Sequence, residues 1–188
     1  MDLLVEKTSE EIGEIWQNYH RYKDGLAAVM PGHVYKTLRA RGQTYPTFLL
    51  PLPRSEGYEF VVTQFHNNEV HFALLAEYQL HKENAPECMS LTYYAELLDT
   101  KDIVLMRGEF DSVRLSVLEA QCLANTLQLY YCGPEHPERT RLLKTFNANP
   151  AKFDHMELIA AMENVGFGEM PGPMGKHPKP PASPQPKS

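Results

Sequence analysis

The chain has 188 residues, 43% of them hydrophobic and 22% charged, which is enough for one domain with a buried core. Its net charge is −6, and three of its 18 basic residues lie beyond Pro171 in a stretch without an acid, so the body is more acidic still; an acidic body with no basic stripe argues against nucleic-acid binding. Three scattered cysteines make no disulfide framework, no apolar run is long enough to span a bilayer, and the acidic start MDLLVEKTSEEIGEIW is neither a secretory signal nor an Arg-rich transit peptide.

Thr8 to about Tyr22 is predicted to be a helix. Thr8 and Glu11 have capping-box spacing, and Ile12, Ile15, Trp16 and Tyr19 fall on one stripe. Asp24-Gly25 breaks it. A short second helix is predicted over His33–Ala40, ended by Gly42. Pro46–Leu52 reads as a first strand at a sheet edge, where its prolines are tolerated.

The centre of the chain, from Ser55 to Asp111, reads as consecutive β-strands. Tyr58–His66 is rich in aromatic and β-branched residues. Asn67-Asn68 then offers the left-handed conformations that a tight hairpin needs. Glu69–Leu80 alternates apolar and polar residues and is predicted to be one long strand, followed by a run from Met89 and another from Ile103. A two-residue loop pairs Phe65 with Val70, Thr63 with Phe72 and Val61 with Leu74 on one greasy face. The other face holds Phe60 with Leu75, Val62 with Ala73, and Tyr58 with Glu77. This mixed face must be covered by helices or by another molecule. Short connections predict an antiparallel meander.

Helices are predicted from about Arg114 to Tyr131, over Glu138–Phe146, and from Asp154 to a stop at Gly166. Seven prolines fall between Pro171 and Pro186, which predicts a disordered or polyproline-like tail over 169–188, after a domain that ends at residue 168. Two helices, a run of strands and three helices make a single α+β domain, an antiparallel β-meander flanked by helices.

Catalytic and metal patterns are weak. His66, His71, His81 and Cys88 are the one candidate metal cluster, but their spacing is not that of a structural zinc site. Cys88 is a candidate nucleophile, and Glu109 with Asp111 a candidate acid/base pair. Cys122 and Cys132 fit inert positions beside an apolar helix. Pro178-x-x-Pro181 fits a proline-groove ligand, a pattern common in any proline-rich stretch. No catalytic site, metal site or cofactor is predicted, which favours binding over catalysis.

The stretches LPRSEGYEF (Leu52–Phe60), DIVLMRGEFD (Asp102–Asp111) and EAQCLANTLQLYY (Glu119–Tyr131) resemble the family of assembly factors that chaperone the β subunit of the F1 sector of mitochondrial ATP synthase. VEKTSEEIGEIWQNY and YPTFLLPLPR are similar to the same family in the same order, so the resemblance runs from Val5 to Gly166. It implies a mitochondrial matrix holdase that binds free β subunit, prevents its aggregation and gives way to the α subunit, without nucleotide hydrolysis. Family members carry a transit peptide and a further region ahead of the VEKTSEEI segment; this chain starts almost at that segment, which reads as a truncated product or a short isoform. Asp102 stands where the family usually has glycine. The family offers no catalytic motif to transfer. The expected contact is the mixed sheet face around Tyr58, Phe60, Leu75 and Tyr94, with the helix face of Gln121, Asn125 and Gln128 as the second choice. Rival readings are a small-ligand protein or enzyme with a pocket at the sheet, and a scaffold acting through its proline-rich tail.

Overall fold

The computed structural model describes residues 6–21 and 23–165; the proline-rich tail and the Gly166 helix stop lie outside the described residues. In chain order the elements are α1 (Ser9–His20), β1 (Leu26–Pro31), α2 (Gly32–Thr44), β2 (Thr47–Arg54), β3 (Gly57–His66), β4 (Glu69–Leu74) and α3 (Leu75–His81). Then come β5 (Met89–Tyr94), α4 (Leu98–Lys101), β6 (Ile103–Phe110), α5 (Val117–Tyr131), α6 (Pro137–Ala148) and α7 (His155–Glu163). One six-stranded sheet runs β1-β6-β5-β4-β3-β2, and every neighbouring pair is antiparallel. The fold is the predicted α+β class. Strands β2 to β6 form the meander, and β1 adds to its β6 edge.

The central hairpin has the predicted register, with Val61 opposite Leu74, Thr63 opposite Phe72 and Phe65 opposite Val70. Asn67 sits at φ 53°, in the left-handed region that a β-branched side chain resists. Asn67→Val is therefore expected to cost about 1–2 kcal/mol in urea unfolding, and Asn67→Gly less than about half of that. Equal midpoints for the valine variant and the parent would refute the left-handed turn.

Local chemistry sets several helix ends as the sequence predicts. Thr8 caps α1 with a reciprocal Thr8–Glu11 box, and Asp154 accepts from the Met156 amide at the start of α7. α5 differs: it starts at Val117, because Ser116 and Glu119 form a capping box inside the stretch predicted to be helical from Arg114. α2 also runs past Gly42 to Thr44. That glycine is an approach residue instead of a stop, since a Cβ there would lie 2.4 Å from the Phe65 ring.

Two departures lie in the sheet. Leu26–Pro31, unassigned in the sequence, is an edge strand, so Thr47–Arg54 is the second strand in chain order. The predicted strand over Glu69–Leu80 ends at Leu74 and continues as α3. Its second half, LAEYQLH, is made of good helix formers, and their own spacing brings Leu75, Tyr78 and Gln79 onto one side. The predicted sheet pairs of Phe60 with Leu75 and Tyr58 with Glu77 are accordingly absent from the ladder. Asp102, at φ 54°, ends α4 in the conformation glycine adopts most easily, and its carbonyl accepts from the Gly32 amide at 2.8 Å.

One sheet face carries the main core. Phe48, Leu50, Val61, Phe72, Leu91 and Met106 are fully buried there with Leu123, Leu127 and Tyr131 of α5 and Tyr35 and Leu38 of α2. The opposite face is covered in two separate places. At the β1–β6 end, α1 packs Ile12 and Trp16 against Ile103, Leu105 and Val29. At the β2–β3 end lie α3, α7 and the turn at Pro150–Lys152.

Candidate functional site

The cover at the β2–β3 end leaves a groove between its parts. A groove of about 450 Å³ lies over the β2–β3 end. Its floor is Leu49, Phe60 and Val62, which point to this face because Val61 and Leu50 point to the other. Leu75, Tyr78 and Gln79 of α3 form one wall; Phe146, Phe153 and His155 form the opposite wall. The second wall is built from aromatic contacts. Phe146 and Phe153 have ring centroids 5.0 Å apart, both lean on buried Phe48 (5.7 and 6.3 Å), and His155 stands edge-on to Phe60 at 5.3 Å. A second hollow of about 400 Å³ shares Thr47, Val62, Gln64 and Tyr78 with the groove and has Glu83 and Glu87 in its lining.

The fold brings the predicted contact residues only partly together. Phe60 and Leu75 line the groove, although Leu75 reaches it from the first turn of α3 instead of from a strand. Tyr58 stands on the same face two residues along β3, and its hydroxyl donates to Glu163 Oε1 at 3.3 Å. Tyr94 belongs elsewhere: it lies on β5, two strands from β3, edge-on to Trp16 at 5.6 Å beneath α1. Gln121, Asn125 and Gln128 are half-buried along α5. Phe146, Phe153, His155, Tyr78 and Leu49 were not legible as groove residues, since each comes from a different element and none shares a local pattern with Phe60.

The three stretches that carry the family resemblance converge on one polar corner. Arg54 donates to Glu59 Oε2 at 3.0 Å, to Glu119 Oε1 at 2.6 Å and to the Arg114 carbonyl at 3.2 Å. Arg114 in turn pairs with Asp111 and with Glu77. The end of the β2–β3 hairpin, the start of α5, the end of β6 and α3 are thereby tied together. The Ser116 amide, and after it the Arg54 guanidinium, hold the Glu119 carboxyl below its ordinary value of 4.5 against the opposing effect of partial burial. A depressed folded value means stability that is complete above pH 4.5 and is lost as pH falls through the folded value. Arg54→Met is expected to cost about 1–2 kcal/mol at pH 7, because it leaves two carboxylates short of donors. The cost should shrink as pH falls through the lowered folded value of Glu119, below which the carboxyl is protonated in both states. Chemical unfolding followed from pH 7 down into the acid range checks this; a loss that stays constant across the whole range would refute the electrostatic origin.

The candidate metal and catalytic side chains have other partners in the fold. His71 lies between Glu69 and Glu87, with Nε2 to Oε2 at 3.1 Å and Nδ1 to Oε1 at 2.7 Å, while His81 is exposed at the end of α3. Among the described residues no group of three or more His, Cys, Asp or Glu side chains is placed to hold a metal ion. Cys88 is buried, its Sγ donates to the Phe72 carbonyl at 3.4 Å, and burial pushes its thiol up to about 12. That is the opposite of nucleophile activation. Glu109 pairs with Arg107 at 2.6 Å, and Asp111 accepts from the Val113 amide at 2.9 Å; the two acids hold local structure instead of facing a shared substrate. Among the described residues no helix is long and apolar enough to cross a membrane.

A further cleft of about 420 Å³ separates α2 from the β3–β4 hairpin. The Tyr35 hydroxyl donates to Asn68 Oδ1 at 2.8 Å there, and the buried Tyr93 hydroxyl has no hydrogen-bond partner.

Comparison with known proteins is consistent in direction. The family model described as ATP11 protein matches residues 1–159. The chain is 44% identical over 168 residues to "ATP synthase mitochondrial F1 complex assembly factor 1" of Danio rerio, covering 89% of this chain and 55% of that protein. The human protein of the same name is also 44% identical over 168 residues, with 51% of its length covered. "Protein atp11, mitochondrial" of Schizosaccharomyces pombe is 32% identical over 175 residues, covering 85% of this chain and 61% of that one. The chain thus spans a little over half the length of these relatives.

Proposed function

The chain belongs to the ATP11 family, and from that premise we propose that it serves assembly of the F1 sector of mitochondrial ATP synthase as a non-catalytic chaperone. The client is the unassembled F1 β subunit, held in the matrix until the α subunit replaces the chaperone. One observation supports the reading: an apolar, aromatic-walled groove between α3 and the Phe146–His155 wall, over the β2–β3 end of the second sheet face. A lone catalytic subunit exposes an interface-sized apolar patch and aggregates unless that patch is masked. A holdase needs a surface greasy enough to mask it and polar enough at its edge to let go. Phe60, Leu75 and Phe153 supply the first, and Gln64, Gln79 and the adjoining Glu83 and Glu87 supply the second.

The test is light scattering of purified F1 β subunit at its aggregation temperature, with and without an equimolar amount of this protein. Suppressed scattering with no ATP turnover is the expected result. Unchanged scattering at micromolar concentrations of both proteins would refute it. The unpartnered Tyr93 hydroxyl favours one second reading, a small-ligand site in the cleft beside α2. A thermal-shift screen with nucleotides and small polar metabolites separates the two, because a ligand held by that hydroxyl would raise the melting temperature of the protein alone.

A further inference from the structure

We propose that the cleft between α2 and the β3–β4 hairpin binds a small oxo-acid, a carboxylate at one end of a short apolar chain with a carbonyl oxygen at the other. This rests on the second reading given above, a small-ligand site in that cleft, and adds its chemical class. It is independent of the client groove, which lies on the opposite face of the sheet.

The cleft is built by two elements. Tyr35, Arg39 and Gln43 follow one another at intervals of four along α2, so they stand on one stripe of the helix. Asn67 and Asn68 face them from the hairpin turn, which the left-handed Asn67 keeps tight. Gly42, with no side chain, lets the Phe65 ring lie against α2. Leu38, Phe65 and Val70 give the lining an apolar part. The space is about 420 Å³, room for roughly fourteen waters at ~30 Å³ each, so a ligand of about that many non-hydrogen atoms is the upper limit.

Its polar groups are mostly donors. The Tyr35 hydroxyl donates to Asn68 Oδ1 at 2.8 Å, which leaves the Asn68 amide nitrogen to donate into the cleft. Arg39 is exposed at the rim and makes no ion pair among the described residues. The carboxylate in the lining, Glu69, has its Oε2 at 3.1 Å from His71 Nε2. Of the two charges that act on Tyr35, Arg39 is the stronger and Glu96 the weaker. An unpaired guanidinium among amide donors fits a planar carboxylate, which it can hold by two parallel hydrogen bonds. One arginine also balances one negative charge. A phosphate ester, with a charge of about −1.5 to −2, would be left undercompensated beside Glu69 and Glu96.

The second, independent observation is Tyr93. It lines the cleft at 2% exposure, and its hydroxyl has no hydrogen-bond partner among the described residues. Buried polar groups are nearly always paired, so this hydroxyl lacks an acceptor. Burial holds the phenol well above its ordinary value of 10, which keeps it a donor at neutral pH. The neighbouring Tyr35, with ring centroids 5.8 Å apart, has committed its own proton to Asn68. Arg39 lies one helical turn, about 6 Å, along α2 from Tyr35. A short chain that meets Arg39 with its carboxylate and presses its far end to the floor brings a carbonyl oxygen to Tyr93.

The experiment titrates the full chain with 4-oxopentanoate, 5-oxohexanoate and 6-oxoheptanoate to about 10 mM and follows amide signals by NMR. Saturable shifts at Arg39, Gln43, Asn68 and Val70 are expected, with a Kd of about 0.1–1 mM for the best of the three. The matching plain fatty acid, which lacks the carbonyl, and the matching oxo-amide, which lacks the charge, should each bind about tenfold weaker. Arg39→Met should weaken the oxo-acid about tenfold. Tyr93→Phe keeps the ring and removes a hydroxyl that has no partner, so the protein should stay folded; it should weaken the oxo-acid but leave the plain fatty acid unchanged, a split that altered packing alone would not give. If none of the three oxo-acids gives saturable shifts, or if Arg39→Met binds them as well as the parent does, the proposal is overturned. An oxo-amide that binds as tightly as the acid would leave the small-ligand reading standing and refute the anion. Inorganic phosphate moving the same signals at the same concentration would show that any anion suffices and would refute the oxo-acid.

Discussion

Phe60→Ala and Leu75→Ala are each expected to weaken binding of the F1 β subunit by about 2 kcal/mol or more, roughly thirtyfold, with a nearly unchanged melting temperature. Both side chains are half-buried and line an open groove, so truncation removes a contact face without emptying a sealed core. A residue packed on all sides behaves otherwise, because its deletion leaves a cavity that the neighbours cannot close. Isothermal titration with β subunit, paired with calorimetric melting of each variant, separates the two cases. If both variants unfold, the groove is core and the client must meet another surface, with the Gln121, Asn125 and Gln128 face of α5 as the next candidate. Tyr94→Ala gives an internal control. Its ring is packed beneath α1 against Trp16, so it should lower stability and leave the affinity of the folded fraction unaltered.

Phe48→Ala is expected to destabilise the protein by about 3–5 kcal/mol and to lower its melting temperature by about 10 °C or more. Phe48 is 0% exposed, and its ring meets Tyr130 at 4.9 Å, Tyr131 at 6.4 Å, Phe146 at 5.7 Å and Phe153 at 6.3 Å. It joins edge strand β2 to α5, α6 and the segment before α7 in one aromatic cluster. Removing it also withdraws the support of Phe146 and Phe153, the groove's far wall, so client affinity should fall together with stability. A melting temperature within about 2 °C of the parent would show that the cluster is not a single packed unit.

The amino-acid sequence by itself determined the features written in neighbouring residues. Thr8 with Glu11 caps α1, Asn67-Asn68 sets a hairpin whose register follows from counting, and the alternation of β3 assigns Val61 inward and Phe60 to the opposite face. Each of these rests on spacings of two to four residues, where backbone geometry and short side-chain bonds decide the outcome. Tertiary structure alone decided the rest. Leu26–Pro31, with its two alanines, has little strand preference and becomes a strand because β6 offers it an unpaired edge. Leu75 alternates as if in a strand but sits in a helix, since the ladder with β5 ends at the Phe72–Met89 pair and the following residues favour helical backbone. Gly42 reads as a helix stop and is instead the space that the Phe65 ring fills. The groove was half legible for the same reason. Phe60 could be placed on an uncovered face from periodicity, but Phe146, Phe153 and His155 arrive from more than 80 positions away in the numbering. Contacts at that separation cost chain entropy that only the whole fold repays, so no local pattern announces them.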